Sequence, residues 1–166
     1  LLFVTETGIQ CKHRFAKELF EMPKMIFINL PVRDVAKSTA FYEAIGFTRN
    51  EKFSNEQASS MMWSDAIVVM LLAKPFFSTF TDKQIGDART TANSLISLSL
   101  DSRADVDAIA KAAVAAGGSE LHDAEDMGFM YSRAFEDFDG HGWGVLWMDP
   151  AAAEQGPPEH QPLAEA

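Results

Sequence analysis

"FINLPVRDVAKSTAFYEAIGF", Phe27 to Phe47, decides the fold, because its hydrophobic period changes once and then stops. "MIFINLPV", Met25 to Val32, alternates as a strand with one covered face does. After Arg33 and Asp34 the period lengthens, and Val35, Ser38, Phe41, Tyr42 and Ile45 fall on one helical face, with Gly46 as the stop. Three further strands are predicted over Thr48–Phe53, Ala58–Trp63 and Ala66–Ala73, separated by the turns "SNEQ" and "SD". The result is a βαβββ unit.

After a linker of polar and aromatic residues, "KPFFSTFTDKQIGDARTTA", the pattern restarts. "SLISLSLDS" predicts a strand over Ser94–Ser102, and "ADVDAIAKAAVAAGG" predicts a helix ending in two glycines. Short strands follow around Glu120, over Phe129–Phe135 and over Trp143–Met148. "FINLPV" lies over "LISLSL" at a constant offset, so Phe27 corresponds to Leu95 and Val32 to Leu100. Such duplication predicts two like modules, 24–74 and 93–149, within one domain at 22–150. The fold class is α+β, with two βαβββ modules packed into one sheet system. Residues 1–21 show no clear period and read as an extension, and the Pro-, Ala- and Glu-rich residues 151–166 read as a mobile tail.

Two motifs within this pattern resemble the vicinal oxygen chelate superfamily. One is the strand, Asp turn and "S-x-x-FY-x-x-x-GF" helix around Ser38 to Phe47. The other is "F-x-D-x-DGH-x-W", which spans Phe135 to Trp143 and opens the last strand. That superfamily includes glyoxalase I, bleomycin-resistance proteins, extradiol dioxygenases and fosfomycin-resistance enzymes. "GFMYSRAF" ahead of the second motif looks like a glyoxalase-like subgroup whose activity is unassigned.

In metal-dependent members, four inward positions hold a divalent cation. Carried over by motif, they land on Phe27, Met70, Leu95 and Gly144. Phe, Leu and Gly offer no donor, and a Met thioether suits soft metals. The resemblance therefore implies a member without the usual metal site, and no metal or cofactor is expected. The implied function is metal-independent binding of a small apolar or aromatic molecule. The alternative is a lyase, isomerase or dioxygenase-like enzyme that is metal-independent or uses substitute ligands. The resemblance also implies that the two βαβββ modules form a half-barrel cup, and that the protein is a homodimer.

Strand alternation places Phe27, Asn29 and Pro31 on the cup face, with Val68, Met70 and Leu72, then Leu95, Ser97 and Ser99. The predicted ligand pocket comprises Phe27, Asn29, Met70, Leu72, Leu95, Ser97, Tyr131, Arg133 and Gly144. Gly144 is read there as leaving apolar space where a carboxylate would otherwise sit. Candidate catalytic groups are Tyr131, Arg133, which suits bidentate capture of an anion, and His141. Two of them have plainer readings: a surface ion pair for Arg133, and turn stabilisation or a helix cap for His141. Trp63, Trp143 and Trp147 read as core filling more than as a stacking platform. "HDAEDMG", His122 to Gly128, reads as a solvated charge run.

The formal net charge of -10 argues against nucleic acid and anionic membranes as partners and says nothing positive about another; the small-molecule partner follows from the lining of the cup face. No apolar run approaches the length of a membrane span, and the single Cys11 fits a reducing, cytoplasmic compartment.

Overall fold

The computed structural model describes residues 24–156. The reading of 1–21 as an extension and the outer part of the expected tail lie outside them. Two sheets of four strands form. The first contains β1 (Ile26–Val32), β2 (Thr48–Arg49), β3 (Ala58–Met62) and β4 (Ile67–Ala73), in spatial order β1-β4-β3-β2. The second contains β5 (Leu95–Ser99), β6 (Ser119–Asp126), β7 (Met130–Glu136) and β8 (Gly142–Met148), in the matching order β5-β8-β7-β6. In each sheet the first strand pairs parallel with the last, and the other pairs are antiparallel. The predicted duplication is therefore a duplication of topology, and the sheets remain two and do not close into a barrel.

Each module carries one long helix, α1 (Val35–Ala44) or α3 (Arg103–Ala115), and the connection between modules contains the short α2 (Lys74–Phe77). Asp34 caps α1 by accepting the Lys37 N–H, and Ser102 caps α3 by accepting from Asp105. The polar side chain fixes where each strand ends and each helix begins.

One core joins both modules. Leu30, Val32, Val69, Leu71 and Met61 of the first sheet meet Phe41, Tyr42, Ile45 and Phe47, then Val106, Phe135, Trp143 and Val145 of the second module. Trp143 is fully buried, with its ring 5.8 Å from Tyr42 and 6.1 Å from Phe47. Trp63 packs on Phe47 at 5.1 Å, and Arg103 lies over Trp147. The three tryptophans thus serve packing.

Several boundaries differ from the sequence reading, among them the strand expected over Ser94–Ser102, which stops at Ser99 ahead of the Ser102 cap of α3. The expected strand Thr48–Phe53 stops at Arg49. The Asn50 side chain accepts the Lys52 N–H and turns the chain into a 3-10 turn over Glu51–Phe53. The expected tail begins as helix α4 (Pro150–Gln155), because Asp149 caps the N–H groups of Ala151 and Ala152 and Pro150 suits a first helical position. No helix among the described residues is long and apolar enough to cross a membrane.

Candidate functional site

The turn "DFDGH" between β7 and β8 is built by its own carboxylates. Asp137 Oδ1 accepts the backbone N–H groups of Asp139 and His141 at 2.9 and 2.8 Å, and Gly140 takes a φ of +95°. The remaining oxygens reach the first module. Asp137 Oδ2 accepts the Tyr42 hydroxyl at 2.7 Å, and that hydroxyl accepts Trp143 Nε1–H at 3.0 Å. Asp139 accepts the N–H and Nε–H of Arg33 and the Ser38 hydroxyl. Both carboxylates are buried. Burial raises the Asp137 pKa from its ordinary value, against the pull of His141 and the Tyr42 hydrogen bond. Burial, then the Asp137 charge, pushes the Tyr42 hydroxyl well above its usual range. These acids lock the modules together. His141, anchored by its N–H on Asp137, places Nε2 3.0 Å from the Pro31 carbonyl.

The cup face follows from register. Phe27 pairs with Val68, Asn29 with Met70 and Pro31 with Leu72, while Leu95 pairs with Gly142, Ser97 with Gly144 and Ser99 with Leu146. Phe27 is 52% and Leu95 74% exposed, so the two positions that the resemblance equates with first-strand metal ligands present bare hydrocarbon. Phe27, Met70, Leu95 and Gly144 do not fit a divalent cation, which needs about three donors. No group of three or more His, Cys, Asp or Glu able to hold a metal occurs among the described residues.

Gly144 differs from expectation. A Cβ there would lie 2.7 Å from Ser97 Oγ, and one at Gly142 would lie 2.7 Å from Leu95 Cδ2. The glycines do not leave open space; they let β5 side chains lie across the β8 backbone. The expected apolar void at Gly144 is already filled by the Ser97 side chain.

Tyr131 and Arg133 require a second correction. Arg133 pairs with Val145 and Tyr131 with Trp147, whereas Ala134 pairs with Gly144, so both point away from the cup face toward α3. There the Tyr131 hydroxyl donates to Asp107 at 2.9 Å, and Arg133 bridges Asp107 at 3.1 Å and Glu120. Glu120 and then burial and Asp107 govern the Arg133 guanidinium, whose pKa is raised. The hydrogen bond from Tyr131 leads in lowering the Asp107 pKa. This is a structural ion-pair network beneath the helix. The charged stretch from His122 lies on β6, whose every residue is exposed.

The residues that do come together line a cavity of about 470 Å³. Its walls are Asn29 and Pro31 of β1, Leu95 of β5, Glu136, His141 and Gly142 around the β7–β8 turn, and Leu121 of β6. The remaining wall is the connection between modules: Phe77, Thr81, Lys83, Gln84, Ile85, Thr91 and Asn93 among others. Of the expected pocket residues, Asn29 and Leu95 line it, with His141 from the catalytic candidates. Phe27, Met70, Leu72, Ser97 and Gly144 do not.

The sequence reading leaves the connecting segment out of the pocket, although its length is a signal: irregular connections this long are uncommon unless they serve a site. It is seated on the turn. Arg89 Nη2 donates to the Phe138 carbonyl at 3.2 Å, and a Cβ on Gly140 would lie 2.8 Å from the Arg89 backbone nitrogen. A second hollow, of about 520 Å³ along α1, is lined mainly by polar groups such as Asp34, Glu43, Arg49 and Asn55 and has no large apolar side chain.

Comparison with known families matches residues 24–145 to the Glyoxalase/Bleomycin resistance protein/Dioxygenase superfamily. Comparison with curated proteins returns no match. Among solved structures, a hypothetical protein from S. aureus superposes with a TM-score of 0.65 at 24% identity, covering 78% of this chain and 98% of that one. A glyoxalase/bleomycin resistance protein/dioxygenase family enzyme from Burkholderia phytofirmans gives 0.63 at 16% identity, covering 76% and 99%. The fosfomycin resistance protein FosX from Mesorhizobium loti gives 0.55 at 18% identity, covering 81% and 98%. At these identities the likeness is one of fold.

Proposed function

The chain belongs to the Glyoxalase/Bleomycin resistance protein/Dioxygenase superfamily, and from that premise we propose that it is a metal-independent binding protein for a small, largely apolar molecule. The observation that carries the reading is the cavity of about 470 Å³ between β1, β5 and the connecting segment, a volume in the range of small-molecule sites. Phe77, Ile85, Leu95 and Leu121 give it apolar walls, and Asn29, Gln84 and Asn93 give it orienting groups. The donor-poor set Phe27, Met70, Leu95 and Gly144 supports binding without a cation.

The test is fluorescence titration with the neutral dye Nile red. Wild type should bind it saturably, and Leu95→Asp and Leu121→Asp should each weaken binding about tenfold or more. Both side chains are substantially exposed, so the melting temperature should hold. Dye binding that is absent, or indifferent to both substitutions, removes the proposal.

A second reading, a metal-independent lyase or isomerase, is supported by His141 and Glu136 lining the same cavity. His141→Asn should then abolish turnover of any substrate found while leaving dye binding intact. A homodimer forms part of the proposal, because Ile26 and Phe27 are more than half exposed on β1, an open sheet edge. Phe27→Glu should shift the sedimenting species from dimer to monomer.

A further inference from the structure

Resting on the cavity proposed above as the binding site, we infer that its ligand is a neutral molecule bearing a carboxamide-like group on an apolar or aromatic body. The inference starts from Asn29 and Asn93, which reach the cavity from separate parts of the chain, one on β1 and one at the end of the connecting segment. Other asparagines of the fold have local work: Asn50 accepts from Lys52, and Asn55 accepts from Gln57 and Ala58. Asn29 and Asn93 make no such bond to protein among the described residues and line the cavity instead. A carboxamide presents donors and an acceptor side by side, and another carboxamide or a lactam matches both at once. Gln84 adds a third such group to the wall.

Charge points the same way. The cavity's Lys83 and Glu136 are of opposite sign, so no single charge is selected. The nearby arginines are turned elsewhere. Arg33 holds Asp139 and the Phe138 carbonyl, and Arg89 donates to that same carbonyl. The fork that would clamp a carboxylate or phosphate is therefore absent from the wall. A net charge of -10 further lowers the local concentration of anions. His141 Nε2 is engaged by Pro31, which leaves the carboxamides as the principal neutral recognition groups. The body of the ligand meets Phe77, Ile85, Leu95 and Leu121.

The test uses the full chain with Nile red bound and a matched series of competitors: 2-naphthamide, 2-naphthoate, 2-naphthylmethylamine and 2-methylnaphthalene. The naphthamide should displace dye at a concentration at least tenfold lower than the other three. Asn29→Val and Asn93→Ala, both at exposed positions, should fold normally and lose that preference, with the competitor series read against each variant's own dye affinity. Even displacement across the series, or preference for the carboxylate or ammonium, overturns the ligand class and leaves the cavity standing. Preference that survives both substitutions overturns it too. If Nile red does not bind at all, the cavity reading fails, and the ligand class fails with it.

Discussion

The Tyr42 hydroxyl, on the first module's helix, donates a 2.7 Å hydrogen bond to Asp137 in the second module's turn, and both groups are buried. The same oxygen accepts from Trp143 at 3.0 Å, so one atom ties together a helix, a turn and a strand. Tyr42→Phe keeps the ring contacts but strands Asp137 Oδ2 and the Trp143 N–H away from water. Each unpaired buried group costs about 1–3 kcal/mol, so the variant should lose about 2–4 kcal/mol in urea denaturation. A loss below about 0.5 kcal/mol, the size of an ordinary surface change, would show that the link is not formed.

Asp137 makes stability depend on pH with a definite sign. Burial holds its folded pKa above the unfolded value, so the folded state keeps a proton that the unfolded state releases. Stability contributed by this group is present below the unfolded pKa and is lost as pH rises through the folded one. Asp137→Asn removes the titration. The stability difference between wild type and variant should therefore move against wild type from pH 4 upward, until the raised value is passed. A difference that stays flat across that interval contradicts the shift.

Gly140 joins the turn to the segment that walls the cavity. Its φ of +95° disfavours any side chain, and a Cβ would meet the Arg89 backbone nitrogen at 2.8 Å. Gly140→Ala combines backbone strain with a collision that no rotamer change relieves, so a cost of roughly 2 kcal/mol or more is expected. Nile red binding should weaken with it, because the segment from Thr81 to Asn93 must lift. Gly128, also at positive φ but with nothing near its absent Cβ, is the control: Gly128→Ala should cost only the strain, roughly 1 kcal/mol.

Adding zinc, nickel or manganese in molar excess should leave the melting temperature unchanged, since Phe27, Met70, Leu95 and Gly144 supply no usable donor set. A metal that binds the folded state at a hundred times its dissociation constant would add about 2.7 kcal/mol. That shift would be plain in a thermal melt, and elemental analysis would confirm it. Gly144→Glu should not change the result, because one carboxylate is too few ligands.

What the sequence discloses, and what it hides, divides along the range of the interactions. The period change at Asp34 and the repeat of Phe27 in Leu95 are local signals, and both modules follow from them. Alternation on β7 says only that Tyr131 and Arg133 share a face. Which face depends on Asp107 and α3 covering it, and "MYSRAF" carries polar groups on both sides. The cavity was hidden for the same reason. Asn29 and Asn93 line one cavity because the connecting segment settles on a turn that lies far along the chain, where Gly140 leaves room for the Arg89 backbone.

Gly144 shows how register overrides a residue's own character. Read alone, the missing side chain implies space, and Gly144→Leu would fill it and hold stability. The pairing of Gly144 with Ser97 reverses that outcome, since the added Cβ falls 2.7 Å from Ser97 Oγ and 3.4 Å from Ser97 Cβ. The hydroxyl sits at the end of one rotatable bond, so Gly144→Ala is relieved by turning Ser97 into another rotamer, at about 1 kcal/mol. Gly144→Leu has more to displace and should cost about 1–3 kcal/mol, as overpacking does. The partner identifies the cause. In a Ser97→Gly background the added methyl meets no side chain, and Gly144→Ala should become neutral or stabilising, because it removes a glycine from a strand interior. A double-mutant cycle should therefore return a coupling of roughly 0.5–1.5 kcal/mol between positions 97 and 144. Were Gly144→Ala to cost the same with and without Ser97, the crowding would come from the backbone, and Ser97 would have no part in it.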